Sequence, residues 1–189
     1  MRLLSITVSL ALLAACNQQT TTEAPAPVSE AQPEAETLSV ELMQATETGP
    51  GASVGTVQIR GGGEGAVFDL NLTGLPPGTH GFHVHANADC GPAPESGRIT
   101  PAGAAGGHWD PGNTGRHAGP TGDGHLGDLP RIEVGQDGRA MLSVTAPRID
   151  DITQLRGHAL MIHSGGDNYS DEPAPLGGGG DRIACGVID

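Results

Sequence analysis

No lysine occurs among these 189 residues, so the nine basic side chains are all arginine, against 22 acidic ones, for a formal net charge of −13. Phosphate binding needs clustered positive charge, and a membrane-surface helix needs a basic face, so the balance argues against a nucleic-acid partner and against a basic membrane patch. Aromatics are nearly absent: Phe68, Phe82, Trp109 and Tyr169 make up 2% of the chain, and any core must be built from Val, Ile, Leu, Met and Ala. Helix-forming stretches are scarce, which counts against an all-α or doubly wound fold. The one long run of apolar and small residues, Leu3 to Ala15, is 13 residues long, short of the roughly 20 needed to span a bilayer. What the chain has in quantity is 31 Gly and 15 Pro, about a quarter of its length. That proportion borders on low-complexity composition. It also has eight His and three Cys.

The N-terminus reads as a targeting signal. Met1-Arg2 followed by the short apolar run has the form of a secretory signal peptide, and Leu13-Ala14-Ala15-Cys16 matches the bacterial lipoprotein box. On that reading residues 1–15 are removed and Cys16 is lipidated, the other reading being an ordinary signal peptide with a chance cysteine. Two or three acyl chains anchor a protein stably, at about 0.8 kcal/mol per buried CH₂. Residues 16–36, rich in Thr, Gln, Ala, Pro and Glu, cannot bury apolar surface and read as a lipidated Cys with a disordered tether, leaving 37–189 as the folded domain. Asn17, where Asp would favour retention in the inner membrane by the enteric rule, points to the outer membrane. The expected location is thus the bacterial cell envelope, with the domain in the periplasm and the membrane engaged by the lipid anchor only. In that oxidising compartment the remaining pair, Cys90 and Cys185, reads as one disulfide across 95 residues, against two free buried thiols. Such a loop closure is worth up to about 4–5 kcal/mol on the chain-entropy view.

From Leu38 onward the pattern is that of short strands. Leu38, Val40 and Leu42 alternate with polar residues, and Val57 and Ile59 repeat this before Gly61-Gly62-Gly63. Val67–Leu72, Phe82–His85, Ile132–Val134, Ala140–Thr145, Gly157–Ile162 and Ile183–Ile188 complete about eight strands separated by turn signals. This predicts an all-β antiparallel sandwich or barrel. Two stretches do not fit. Asn87–Pro130 has 11 Gly and 6 Pro in 44 residues, and Ser164–Asp181 has six Gly and two Pro in 18. Loops of this length in a small domain are functional or disordered, and something other than an apolar core must hold them.

The histidines offer that something. His83 and His85, two apart on a strand, face the same side, with Phe82 and Val84 turned to the core. Such a pair presents two imidazoles to one metal, though it also occurs by chance. His108, His117, His125 and Asp128 sit in the long loop beside Gly or Pro, and three imidazoles with one carboxylate suit tetrahedral Zn²⁺. Solvated loop histidines are the alternative, but a 44-residue loop with little apolar content needs a folding nucleus, which a structural metal supplies. His163, at a strand end before the second loop, completes a three-His set with His83 and His85, and imidazole ligands suit copper as well as zinc. His80 and His158 remain, with structural roles.

Gly81-Phe82-His83-Val84-His85, Gly107-His108-Trp109-Asp110-Pro111, His117-Ala118-Gly119-Pro120, His125-Leu126-Gly127-Asp128, His158–His163 and Gly180–Ile188 together closely resemble the copper/zinc superoxide dismutases. Ser164–Asp171 resembles the bacterial periplasmic branch, and the likeness runs in order from about Leu38 to the C-terminus. The resemblance implies an eight-stranded antiparallel Greek-key β-barrel or sandwich, immunoglobulin-like, with two long functional loops. It implies one copper on His83, His85, His108 and His163, and one zinc on His108, His117, His125 and Asp128, with a shared imidazolate at His108. It also implies the Cys90–Cys185 disulfide, Arg182 as the residue that holds the anion, and Asp167 as a link between ligand histidines of the two metals.

The activity so implied is conversion of superoxide to O₂ and H₂O₂ by Cu(II)/Cu(I) cycling, with His108 and Arg182 catalytic, protecting the cell envelope from extracytoplasmic superoxide. The competing reading is a non-catalytic copper/zinc-binding envelope lipoprotein. A homodimer is possible within the resemblance, and no nucleic acid is expected as a partner. One departure stands out: related enzymes steer the anion with lysines, which this chain lacks. Arg116, Arg131, Arg148 and Arg156 are the candidate substitutes, and steering weaker than in the family is expected.

Overall fold

The structure, a computed structural model, describes residues 36–189. The expected signal peptide, Cys16 and nearly all of the expected tether lie outside the described residues. Eleven strands run in the order β1 (Thr37–Thr46), β2 (Gly49–Gly62), β3 (Gly65–Leu72), β4 (Gly78–His80), β5 (Phe82–His85), β6 (Ala93–Glu95), β7 (Arg98–Thr100), β8 (Ile132–Val134), β9 (Ala140–Ala146), β10 (His158–His163) and β11 (Arg182–Ile188). Seven of them form one antiparallel sheet ordered β5-β10-β11-β1-β2-β3-β9, and β4 pairs with β8. Gly81 alone separates β4 from β5, while the β8–β9 turn closes on a Gly135 N–H to Arg139 carbonyl bond of 2.9 Å. Chain continuity therefore joins the two ends of the sheet, which curls around its core. This agrees with the expected antiparallel Greek-key β-barrel or sandwich.

The period-2 pattern places the core. Leu38, Val40 and Leu42 of β1, Val57 and Ile59 of β2, and Phe68, Leu70 and Leu72 of β3 are buried on one face. Phe68 and Phe82 meet edge to face at 5.7 Å between centroids. Such aromatic pairs add about 0.5–1.5 kcal/mol beyond the area they bury. Strand β10 is buried on both faces. Leu160 and Ile162 enter the main core, whereas Ala159 and Met161 join Ala102, Ala105 and Cys185 in a small second cluster under the long loop.

All eight expected strands are present. β4 separates from the expected Phe82–His85 strand, because the chain changes partner from β8 to β10 at Gly81. The β6–β7 hairpin inside the long loop was not anticipated. Each of its arms is three residues long and one contains Pro94, so no periodicity could announce it. Its turn is Ser96-Gly97, both with positive φ (50° and 80°), the geometry that twists a two-residue hairpin correctly.

Candidate metal centre

Strand β5 is the foundation of the site. Phe82 and Val84 point into the core, which obliges His83 and His85 to point out, yet both are buried because the long loop lies over them. That loop attaches by backbone pairing. Trp109 N–H donates to Val84 O (2.8 Å), Val84 N–H to Gly127 O (2.9 Å), and Gly127 N–H to Trp109 O (2.9 Å). A side chain at Gly127 would collide with the Val84 carbonyl, so only glycine allows this approach. The pairing sets His108 opposite His85 and Asp128 opposite His83.

Two sets of convergent donors result, His83/His85/His108/His163 and His108/His117/His125/Asp128, all buried. Hydrogen bonds fix which nitrogen each ring presents. His83 donates from Nε2 to Asp167 Oδ2 (2.8 Å), leaving Nδ1 buried without a hydrogen-bond partner. His85 donates from Nδ1 to the Gly106 carbonyl (2.8 Å), and its Nε2 faces Nε2 of His163 at 3.2 Å. Burial first, then the neighbouring histidines, holds both His85 and His163 well below the ordinary imidazole range, so their rings are neutral. Two lone pairs aimed at each other are unfavourable unless a cation lies between them. This donor set fits a metal that takes nitrogen ligands, as copper does.

The second set is organised around a single oxygen. Asp128 Oδ1 lies 2.9 Å from His108 Nδ1, 3.2 Å from His125 Nδ1 and 3.0 Å from His117 Nδ1, the last without hydrogen-bond alignment. Burial opposes ionisation of Asp128, but the His108 bond, the adjacent His117 ring and the Ala118 N–H bond outweigh it and hold the carboxyl far below its usual range. Three imidazole nitrogens on one ionised oxygen fit a closed tetrahedral zinc set. With Nδ1 turned to Asp128, His108 keeps Nε2 for the copper set, so one ring serves both. Burial and then His83 push the His108 ring down to about 4.

Asp167 ties the two sets together. Its Oδ1 accepts from His117 Nε2 (2.7 Å) while its Oδ2 accepts from His83. His83, His117 and Asp167 also cluster closely enough to be read as a third metal group. Both Asp167 oxygens are taken by ring nitrogens turned away from the two donor sets, an arrangement that suits orienting ligands rather than binding an ion. His80 and His158 take structural places. The His80 ring nitrogens lie 2.7 Å from the His163 carbonyl and 2.8 Å from that of Pro76. His158 bonds the Ala86 carbonyl and packs on Trp109.

Arg182 reaches the same place from β11. Its Nη1 donates to the Ala102 carbonyl (2.6 Å) and its Nη2 to that of Gly106 (2.7 Å). The Cys90–Cys185 disulfide, with Cα atoms 5.7 Å apart, pins the loop that carries these carbonyls to the strand that carries Arg182. Gly106 therefore accepts from both His85 and Arg182. No sequence signal could have found it, because the acceptor is backbone. His85, His108, His163 and Arg182 line a cleft of about 270 Å³, with Glu95 and Arg98 at its rim.

The four arginines expected to steer do not line this cleft. Arg116 pairs with Asp123, and Arg131 bonds the Asp167 carbonyl and lies over the Tyr169 ring. Arg148 holds the Gly124 and His125 carbonyls, and Arg156 holds Glu36 and the Asp189 carbonyl. Each is spent on fastening a loop or a terminus. Arg98, on the unanticipated hairpin, is the additional cation at the mouth. Sequence reasoning also missed Asp171, which accepts from the backbone N–H groups of His117 (2.9 Å) and Leu176 (3.1 Å) and so clasps one loop to the other.

Comparison with known proteins points the same way. A curated superoxide dismutase [Cu-Zn] of Brucella abortus is 53% identical over 155 residues, covering 82% of this chain and 90% of its own length. The second such enzyme of Salmonella typhimurium is 56% identical over 149 residues, 79% of this chain and 86% of its own. The solved Cu/Zn superoxide dismutase from Brucella abortus superposes with a TM-score of 0.81 at 52% identity, covering 82% of this chain and all of that one. Residues 53–188 match the sequence model of copper/zinc superoxide dismutase (SODC), a span that holds both ligand sets, Arg182 and the disulfide, and on these grounds the chain belongs to the copper/zinc superoxide dismutase family.

Proposed function

We propose that the protein is a superoxide dismutase of the bacterial cell envelope. It holds one copper on His83, His85, His108 and His163 and one zinc on His108, His117, His125 and Asp128. The observation that carries this reading is His108, a single ring whose two nitrogens face two different donor sets at the floor of a cleft that also holds Arg182. Copper supplies the one-electron cycling that turns two superoxide ions and two protons into O₂ and H₂O₂, and zinc has no such redox chemistry.

The chain's own residues do the rest. Arg182 keeps a fixed positive charge in the cleft despite burial, which lowers its pKa and which nearby Glu95 opposes. Its donor fork holds the incoming anion beside His85 and His163. Because the Ala102 and Gly106 carbonyls take one N–H from each terminal nitrogen, the guanidinium is oriented before substrate arrives. His108 Nε2 is the position where a proton is held and passed to the reduced dioxygen. Asp128 fixes the ring through Nδ1, so that Nε2 stays aimed into the cleft. Asp167, bonded to His83 and His117 at once, keeps the two halves in register.

A metal store needs neither an oriented arginine in the cleft nor a shared ring, which is why catalysis is favoured over storage. Signal peptide 1–15, lipidation at Cys16 and a tether to residue 36 support placement in the outer membrane with the domain in the periplasm. Superoxide is then the substrate, lipid is the sole membrane contact, and a homodimer is the largest assembly proposed. Metal analysis of the purified protein beside a superoxide-consumption assay tests the reading, with one copper, one zinc and high activity expected. Arg182→Ala should keep both metals while turnover falls about ten- to a hundredfold, the usual loss when a charged hydrogen bond is removed. Full turnover in that variant would favour the store.

A further inference from the structure

We propose that Glu95 is a positioning residue that restrains Arg182 and sets how strongly the cleft attracts small anions. This deepens the dismutase reading and rests on it. The β6–β7 hairpin brings two opposite charges to the rim, Glu95 and Arg98, which close its turn as facing partners. Glu95 Oε1 lies 3.6 Å from Arg182 Nη2, with the Glu95 side chain 46% exposed and Arg182 13%. The pair thus straddles the boundary between water and cleft. A carboxylate at this distance competes with any arriving anion for the same guanidinium, and it places a negative charge on the route in.

The position matters more than the charge. Arg182 already gives one N–H from each terminal nitrogen to the Ala102 and Gly106 carbonyls, so Glu95, an ion-pair contact at 3.6 Å, sets its charge beside the donors left for substrate. Asp181 lines the same cleft but makes no ion pair with Arg182 among the described residues. The two carboxylates therefore separate a contact effect from one of net charge. The four charged groups lining the cleft, Glu95, Asp181, Arg98 and Arg182, cancel formally, in keeping with the weaker steering expected of a chain that has no lysine.

The test uses the metal-loaded protein with azide as the anion probe, titrated by the visible spectrum, beside dismutation measured against ionic strength. Glu95→Gln should bind azide about two- to fivefold more tightly, the scale of a half-exposed ion pair. Its catalytic efficiency at low salt should rise by a similar factor and decline more steeply with added salt than the parent's. Asp181→Asn should steepen the salt dependence slightly and leave azide affinity within about 1.5-fold, since screened charges act weakly at a distance. Unchanged azide affinity and salt slope in Glu95→Gln, in a parent that dismutes superoxide, would overturn the inference and leave the dismutase reading intact. Equal effects from both variants would also overturn it, by reducing Glu95 to its charge. A parent that binds azide without dismuting would instead sink the functional reading, while a tighter Glu95→Gln would still uphold the restraint on Arg182.

Discussion

In the barrel, the fully buried side chains are Phe68, Phe82, Ile59, Leu72, Leu160 and others of their kind. In the long loop, the buried side chains beyond Leu129 and two alanines are His108, His117, His125 and Asp128. The barrel's strands are specified by alternation and held by non-directional burial, at about 25 cal/mol per Å² of apolar surface. The loops are held by directional bonds to particular atoms: Asp167 to two rings, Asp171 to two backbone N–H groups, Arg148 and Arg182 to carbonyls, and one disulfide. The contrast shows how sequence with the composition of near-disorder acquires one conformation. Each fastening removes backbone freedom at a chosen point, and metals bound by the two donor sets would close what remains.

Phe68→Ala attacks the barrel side most strongly. It should cost about 3–5 kcal/mol, read by denaturant unfolding, and by the same amount in metal-loaded and metal-free protein. A loss confined to the loaded form would break the division between the two regions. Replacing Cys90 and Cys185 together by Ser attacks the loop side and should cost about 2–4 kcal/mol. Hydrogen exchange should then rise more at residues 91–106 than in the barrel strands, because that segment is what the bridge holds. Uniform acceleration throughout would assign the disulfide to the barrel instead.

Asp167→Ala should weaken metal binding about 10- to 100-fold, the range typical of residues that orient metal ligands, measured by competition with a chromophoric chelator. Exchange protection of β1 to β3 should not change. The smallest expected effect concerns one proton. Burial disfavours a charged His117, but Asp128 and Asp167 outweigh it and raise the ring to about 9. A ligating imidazole must be neutral, so zinc binding at about pH 8 should release the His117 proton, and this release should vanish as pH rises past about 9. Calorimetry in two buffers of different ionisation enthalpy measures it. Release that persists above that pH would assign the proton to another group.

Much of this was legible in the chain. Alternation at Leu38–Leu42 and Val67–Leu72 indicated strands and their inner faces, because a period of two leaves one choice of side. The His-x-His pair and the loop histidines announced ligands by their chemistry, and the lack of any other loop nucleus made a metal plausible. Less was visible wherever the working group was backbone or the partner was distant. The β6–β7 hairpin was too short for periodicity, and Gly106 contributes only a carbonyl. The four arginines expected to steer lie in loops and turns, where the sequence does not reveal what they fasten. All four proved to be occupied, and the rim arginine is Arg98.

By itself, then, the sequence determined the all-β class, the set of candidate ligands and the pairing partner for Cys90, since these follow from side-chain type, from period and from the two cysteines present in the domain. Tertiary structure alone decided which nitrogen each ring presents, that His108 Nδ1 turns to Asp128, and that Glu95 and Arg182, far apart in the chain, share one cleft. The reason is physical. Tautomer and orientation are set by hydrogen bonds to carbonyls and carboxylates brought together from distant segments, and a backbone carbonyl looks the same at every residue until the fold gives it a neighbour.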